Sequence, residues 1–230
     1  MQKNHKKLFL FLVFVLFILY PVALYFALFA SPQDYLHGHF VRIMYVHVSS
    51  AWLSILIYCL MGFFSFLCLL FNSSFVGICA YAMAPIGITF TCVCLVTGSL
   101  WGKPIWGAFW VWDARLTSML VLLILYIGYY MVWQYTAFKI KIASVVNLLG
   151  LVNIPIIKFS VEIWSTLHQK SSFIRSGGVA MDSAMVLPLL LMFFASSITG
   201  FILWYFNLKF LMNAKKIEKI MIKKGITQAS

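Results

Sequence analysis

Apolar residues fill six long stretches of the chain, and short polar segments separate them. None of these stretches shows the alternation of apolar and polar positions that is typical of a barrel strand. A helix needs roughly 20 apolar residues to cross a membrane, and lipid leaves no water to satisfy its backbone. We therefore predict an all-α integral membrane protein with six transmembrane helices. The predicted spans cover about residues 8–30, 46–71, 75–99, 115–137, 142–160 and 183–207.

The overall composition supports this fold class. Hydrophobic residues make up 63% of the chain and charged residues 10%, whereas soluble domains average about 25% charged residues. The first apolar stretch is longer than the roughly 7–15 residues of a signal-peptide core, so we expect it to be an uncleaved span. The net charge of +12 is concentrated at the two ends of the chain. This distribution favours membrane orientation over a nucleic-acid partner.

The positive charges also predict which way the protein faces. If the N-terminus is cytoplasmic, eleven of the 17 Lys and Arg residues lie on the cytoplasmic side, as the positive-inside rule requires. Both ends are then cytoplasmic, and the longest loops face outward. We divide the chain into a six-helix domain at 1–208, with a Trp-rich outer loop at 100–114, and a basic cytoplasmic tail at 209–230. The outer face is the expected functional side.

The Trp-rich loop, "WGKPIWGAFWVWD", carries four of the eight tryptophans. Tryptophans are common at membrane interfaces, so an aromatic belt is one interpretation. A platform for a flat ligand is the other, because indoles offer wide apolar faces and a polar N–H. Asp113 directly precedes an apolar run, where a helix N-cap is the ordinary role. If Pro104 opens a short helix, Trp106, Trp110 and Asp113 share one of its faces.

Two histidines flank this loop at matched depth. His47 lies at the outer start of the second span, and His168 lies just past the outer end of the fifth. An interfacial histidine is often only hydrogen-bonded, but two neutral imidazoles on different helices can also ligate a metal from opposite sides. A tetrahedral zinc site would need two further ligands, which His37 and His39 could supply.

The aromatic surroundings favour a porphyrin over a bare ion. Arg42, Lys103 and Arg115 lie near the same predicted surface and could pair with porphyrin carboxylates, although Arg115 could also be a topological anchor. The chain has no CxxCH motif, so it does not attach haem covalently. Its five cysteines all fall inside apolar runs, where thiols usually act as small apolar side chains.

Several stretches together resemble a known family. "WGKPIWGAFWVWDARLTS" resembles the WWD signature of haem-handling membrane proteins. "YVHVSSAWLSILIY", "MAPIG", "VTGSLWGKP" and "VNIPIIKFSVEIWSTLHQ" are similar to the CcmC family of system I cytochrome c maturation. The resemblance extends from about Asp34 to Gln169. Phe109 stands where the family pattern leads us to expect tryptophan.

The resemblance implies a haem-delivery protein that is not an enzyme. His47 and His168 would be the axial ligands of the iron of a non-covalent, transient haem b. The resemblance also implies that five residues of the WWD-like stretch hold the haem: Trp101, Trp106, Trp110, Trp112 and Asp113. It also implies transfer to the haem chaperone CcmE, in a complex with the ABC-type subunits CcmA and CcmB and the small protein CcmD.

The same resemblance places the protein in a bacterial inner membrane with a periplasmic functional face, or alternatively in a mitochondrial inner membrane. Two other functions stay open at this point. The protein could be a permease subunit that transports haem, although it has no P-loop of its own. A membrane b-type cytochrome is the second alternative, but those proteins commonly place their histidines inside the spans, and this chain places none at mid-span.

Overall fold

The computed structural model describes residues 2–35, 37–135, 139–164, 166–168 and 181–224. Within these residues, six segments are long and apolar enough to cross a membrane, and the regular secondary structure is helical. The predicted all-α membrane fold is therefore confirmed. The helices are α1 (Gln2–Tyr25), α2 (Ile43–Phe71), α3 (Ser74–Trp106), α4 (Ala114–Tyr135), α5 (Lys139–Gly150), α6 (Asn153–Ile163) and α7 (Ser183–Lys223).

The main core lies between α2, α3, α4 and α5, and tyrosines dominate its centre. Tyr58, Tyr126 and Tyr129 are fully buried, and the Tyr126 hydroxyl donates to the Ser54 carbonyl at 2.7 Å. Lipid gives packed helices little hydrophobic driving force, so close approach and interhelical hydrogen bonds stabilise the bundle. Gly87 of α3 shows the close approach, because a Cβ there would overlap the Tyr126 ring.

Helices α1 and α7 form a second layer against α2. In its second half, α7 forms two side-chain hydrogen bonds to backbone carbonyls of α3. The Trp204 indole donates to the Cys79 carbonyl at 3.1 Å, and the Asn207 amide donates to the Ala82 carbonyl at 2.9 Å. These contacts fix the last helix alongside the one that carries the tryptophans.

The Trp-rich segment is more helical than predicted. Helix α3 does not end near residue 99 but continues to Trp106, so the non-helical part is only 107–113. Pro104 does not open a short helix there; it lies within the last turn of α3. Gly107 ends the helix in a left-handed conformation, with φ of 76°, and its N–H donates to the Lys103 carbonyl at 3.0 Å. Glycine adopts this conformation without a steric penalty.

The fifth span is broken into α5 and α6, where the sequence predicts one helix over 142–160. Pro155 has no N–H to donate to the carbonyl of Leu151, one turn earlier. The amide of Ile154 bonds that carbonyl instead, at 3.0 Å, and the Asn153 side chain donates to the Ser118 carbonyl of α4 at 2.9 Å. The backbone polar groups at the break are therefore partly satisfied by hydrogen bonds within the bundle.

The helix of the last span continues without a break into the first part of the predicted tail at 209–230. Helix α7 is continuous for 41 residues, which corresponds to a length of about 60 Å. The hydrocarbon core of a bilayer is only about 30 Å thick. The basic residues from 209 to 223 thus extend the same helix beyond the membrane, and 225–230 lie outside the described residues.

Candidate functional site

A cavity of about 750 Å³ opens at the His47 end of the bundle. This volume lies within the range of roughly 300–1,000 Å³ that is common for small-molecule sites. Helices α2, α3, α4, α6 and α7 all contribute to its wall. On α2, the lining residues His47, Ala51, Ile55 and Cys59 recur every four positions and so form one face of the helix. The wall is mostly apolar, with a few polar groups near its outer end.

Helix α3 orients the His47 imidazole. Nδ1 of His47 lies 2.9 Å from the Cys94 carbonyl oxygen and 3.3 Å from Oγ1 of Thr97. A carbonyl oxygen can only accept, so the proton of the neutral ring is on Nδ1. The other nitrogen, Nε2, then carries the lone pair that a metal can bind. Gly98 leaves space for the ring, since a Cβ there would lie 2.9 Å from Cε1 of His47.

His168 lies directly against His47, although 121 positions separate them in the sequence. The two ring centres are 6.4 Å apart, and the ring planes differ by 34°. His168 follows α6 and also contacts the Trp106 ring, at a centroid distance of 6.2 Å. The structure therefore brings together the two histidines that the sequence singles out, on the wall of one cavity.

Three of the four clustered tryptophans line the cavity: Trp101, Trp106 and Trp110. The indole nitrogens of Trp101 and Trp110 are buried and have no hydrogen-bond partner among the described residues. A buried N–H without a partner is rare in native proteins, and it marks a place where an acceptor is expected. Trp112 packs edge-on against Trp110 but is 77% exposed and lies outside the cavity wall.

The predicted cationic partners separate into two groups. Arg115 lines the cavity and donates to the carbonyls of Ile157 and Lys158, at 3.3 Å each. Arg42 donates to the Ser31 carbonyl instead, at 3.3 Å, and Lys103 donates to the Gly107 carbonyl at 2.9 Å. Neither of these two lines the cavity. Lys158 does line it, although it is not among the partners predicted from the sequence.

Asp113 takes the ordinary role of a helix cap. Its Oδ1 accepts the backbone N–H of Leu116 at 2.8 Å, and the residue does not line the cavity. His37 lines the cavity, whereas His39 is exposed and lies against Gln33. In the described part of the chain, no three His, Cys, Asp or Glu side chains are grouped closely enough for a metal ion, so the zinc alternative has no support.

Sequence reasoning misses the residues that support His47. The Cys94 carbonyl belongs to the backbone, so a pattern of side chains cannot indicate its role. Thr97 and Gly98 are residue types that are common in membrane helices. Their spacing does carry a weak signal: Cys94, Gly98 and Trp101 recur at helical intervals that place them on one face of α3. Trp52 and Phe193, which pack edge-on at 5.5 Å and line the inner part of the cavity, carry no such signal.

Comparison with known proteins assigns this architecture to a family. The family model described as heme exporter protein C matches residues 1–223. This chain belongs to that family. The family predicted from the WWD-like stretch is therefore confirmed.

Individual relatives from bacteria and plants agree. Heme exporter protein C of Escherichia coli is 42% identical over 205 residues, which cover 85% of this chain and 82% of that protein. Heme exporter protein C of Bradyrhizobium diazoefficiens is 44% identical over 165 residues, which cover 70% of this chain and 63% of the relative, just under two thirds of its length. A putative cytochrome c biosynthesis ccmC-like mitochondrial protein of Marchantia polymorpha is 45% identical over 172 residues, or 75% of this chain and 74% of that protein.

Proposed function

We propose that this protein is a carrier that binds haem between His47 and His168 and presents it to a haem chaperone for c-type cytochrome biogenesis. Its membership of the heme exporter protein C family supports haem as the cargo. The observation that carries the proposal is the 6.4 Å separation of the two imidazole centres within one aromatic cavity. We propose a binding protein and not an enzyme, as the resemblance to haem-delivery proteins suggests.

The separation of the imidazoles matches one shared iron. A metal–imidazole bond is about 2 Å long and the bonding nitrogen lies about 1 Å from the ring centre, so two opposed imidazoles on one metal have centres about 6 Å apart. His47 is already in the tautomer that leaves Nε2 available, because the Cys94 carbonyl accepts from Nδ1. This hydrogen bond orients the ring and is the kind of contact that commonly positions a metal-binding histidine.

The rest of the cavity fits a porphyrin. Its apolar wall suits the ring, and the unpartnered indole N–H groups of Trp101 and Trp110 can donate to the porphyrin carboxylates. Arg115 and Lys158 supply positive charge on the same wall. Arg42 and Lys103, which the sequence also suggested for this role, are engaged elsewhere. The carboxylates would accordingly be held from the α4 and α6 side.

The turn after α3 offers a surface for transfer. Trp112 is 77% exposed and Phe109 is 56% exposed, and both lie in the short segment that follows the cavity-lining Trp106. Exposed aromatic side chains next to a binding site are common anchors for a protein partner. We propose that this segment contacts the chaperone CcmE, and that the ABC-type subunits CcmA and CcmB and the small protein CcmD complete the complex. The functional face would be periplasmic, in a bacterial inner membrane or its mitochondrial counterpart.

Absorption spectroscopy of the purified chain tests the proposal. The unmodified protein should bind haem with the spectrum of a low-spin, six-coordinate iron. His47→Ala and His168→Ala should each lower the haem-to-protein ratio and shift the Soret band. His39→Ala is the matched control, because His39 lies outside the cavity wall. Haem contents and spectra that are unchanged in both ligand variants would refute the assignment.

A further inference from the structure

His37 is a third imidazole on the wall of the same cavity. It lies in the segment before α2, and its side chain is only 17% exposed. Its ring packs edge-on against Trp101, with centroids 5.6 Å apart. Trp101 also packs edge-on against His47, at 5.9 Å. His37 and His47 therefore share one indole neighbour, whereas His168 contacts Trp106.

Asp34 holds His37 in a defined orientation. One carboxylate oxygen of Asp34 accepts the backbone N–H of His37 at 2.7 Å and lies 3.3 Å from its Nδ1. An ionised carboxylate only accepts, so it favours a proton on Nδ1 and leaves the lone pair on Nε2. A carboxylate or carbonyl on one ring nitrogen is the arrangement that commonly orients metal-binding histidines. His47 has a similar arrangement, in which a 2.9 Å hydrogen bond to the Cys94 carbonyl takes the place of the 3.3 Å contact with the carboxylate.

We propose that His37 is an exchangeable ligand that takes the haem iron in place of His47. This inference rests on the proposed function and adds a residue to it. In the exchange, an iron–nitrogen bond to Nε2 of His37 forms while the bond to Nε2 of His47 breaks. The iron keeps its oxidation state, and the Nδ1 proton of His37 stays beside Asp34. His47 is the ligand replaced, because it shares the Trp101 contact with His37.

The exchange gives a physical route for release. His37 precedes α2, so it lies nearer the end of the bundle than His47, which is already within that helix. Replacing one bond while another forms avoids a state in which the iron has lost a ligand outright. Among the described residues the three histidines do not form a simultaneous metal cluster, so the cargo must shift towards the cavity mouth as His37 takes the place of His47.

Double variants of the full-length purified protein test this inference. The probe is ferric haem, and the readouts are electron paramagnetic resonance of the spin state and the haem-to-protein ratio after gel filtration. His47→Ala should retain a low-spin population through His37. Adding His37→Ala should convert that population to high spin and lower retention about tenfold or more. Adding His39→Ala to His47→Ala should change neither, because His39 is two residues away but outside the cavity wall.

Further variants separate this inference from general loss of structure. Thermal unfolding of His37→Ala without haem should match that of the unmodified protein, which shows that the variant folds. In the His168→Ala background, removing His37 should leave the spin state unchanged. If His47→Ala and His47→Ala/His37→Ala have the same spin state and retention, His37 is not a ligand and the inference is wrong, while the proposed function stands. An unmodified protein that never binds haem overturns both.

Discussion

Replacing Gly98 with alanine tests how α3 controls the His47 ligand. The new Cβ would lie 2.9 Å from Cε1 and 3.3 Å from Nδ1 of His47. Carbon atoms pack best at about 3.5–4.0 Å, so the ring must retreat by about 0.6–1 Å to reach ordinary contact with the new methyl group. That movement would lengthen the 2.9 Å hydrogen bond from Nδ1 to the Cys94 carbonyl to about 3.5 Å or more, so the bond should be weakened or lost.

The magnitude follows from the role of that hydrogen bond. Removing the partner that orients a metal-binding histidine typically lowers metal affinity 10–100-fold, or about 1.4–2.7 kcal/mol. Folding should suffer much less, because alanine favours a helix interior over glycine by about 1 kcal/mol. We therefore expect Gly98→Ala to be expressed and folded, with haem affinity reduced 10–100-fold.

The assay is a haem titration followed by absorbance, with thermal unfolding measured on the same samples. Gly128→Ala is the matched control, because Gly128 also lies inside a helix and a Cβ there meets nothing within 4 Å. It should leave haem affinity unchanged. If Gly98→Ala binds haem as tightly as Gly128→Ala does, the imidazole is not positioned by α3, and the account of the His47 tautomer would have to be abandoned.

Two further substitutions separate binding from folding. Asp113→Ala should destabilise the protein by about 0.5–2 kcal/mol, the usual cost of losing a helix N-cap, and leave haem affinity nearly unchanged; a large loss of affinity in a protein with unaltered melting temperature would contradict the capping role. Trp101→Phe should keep the aromatic face but lose the unpartnered N–H, weakening haem binding by about 0.5–1.5 kcal/mol without changing the spin state. Equal titration curves for Trp101→Phe and the unmodified protein would count against that hydrogen bond.

The helices themselves were predictable because the apolar runs are long and uninterrupted. The residues at which the helices end were not predictable, because glycine and proline end a helix at some positions and are accommodated within it at others. Gly102 and Pro104 suggest a loop, yet α3 continues through both and stops only at Gly107, where the backbone turns left-handed. Pro155 lies in an equally apolar run and does break a helix, separating α5 from α6. The sequence alone does not say which proline has neighbouring groups that compensate for its missing hydrogen bond.

The same limit explains which predicted site residues reach the cavity. Charge and apolar runs predict the depth of a residue, and His47, His168 and Arg115 do line one cavity. They do not predict the direction of a side chain outside regular helices. Trp110 and Trp112 lie two positions apart in the non-helical segment, yet one lines the cavity and the other is mostly exposed. Four residues expected in the ligand's surroundings do not line the cavity: Arg42, Lys103, Trp112 and Asp113. Lys103 lies in the last turn of α3, where the sequence predicted a loop and not a helix.

The location of the cavity also makes it possible to interpret the effects of substitutions in its wall. The fully buried tyrosine at the centre of the main core, Tyr58, is 11 positions beyond His47 on α2, a rise of about 16 Å. Tyr126 and the helix contacts around it lie at that inner level. The side chains that would bind the haem are not members of that central core, although His47 and Arg115 also form hydrogen bonds between helices. A change in haem spectrum without a change in unfolding can then be assigned to ligation, which is the condition that the His37, His47 and Gly98 experiments require.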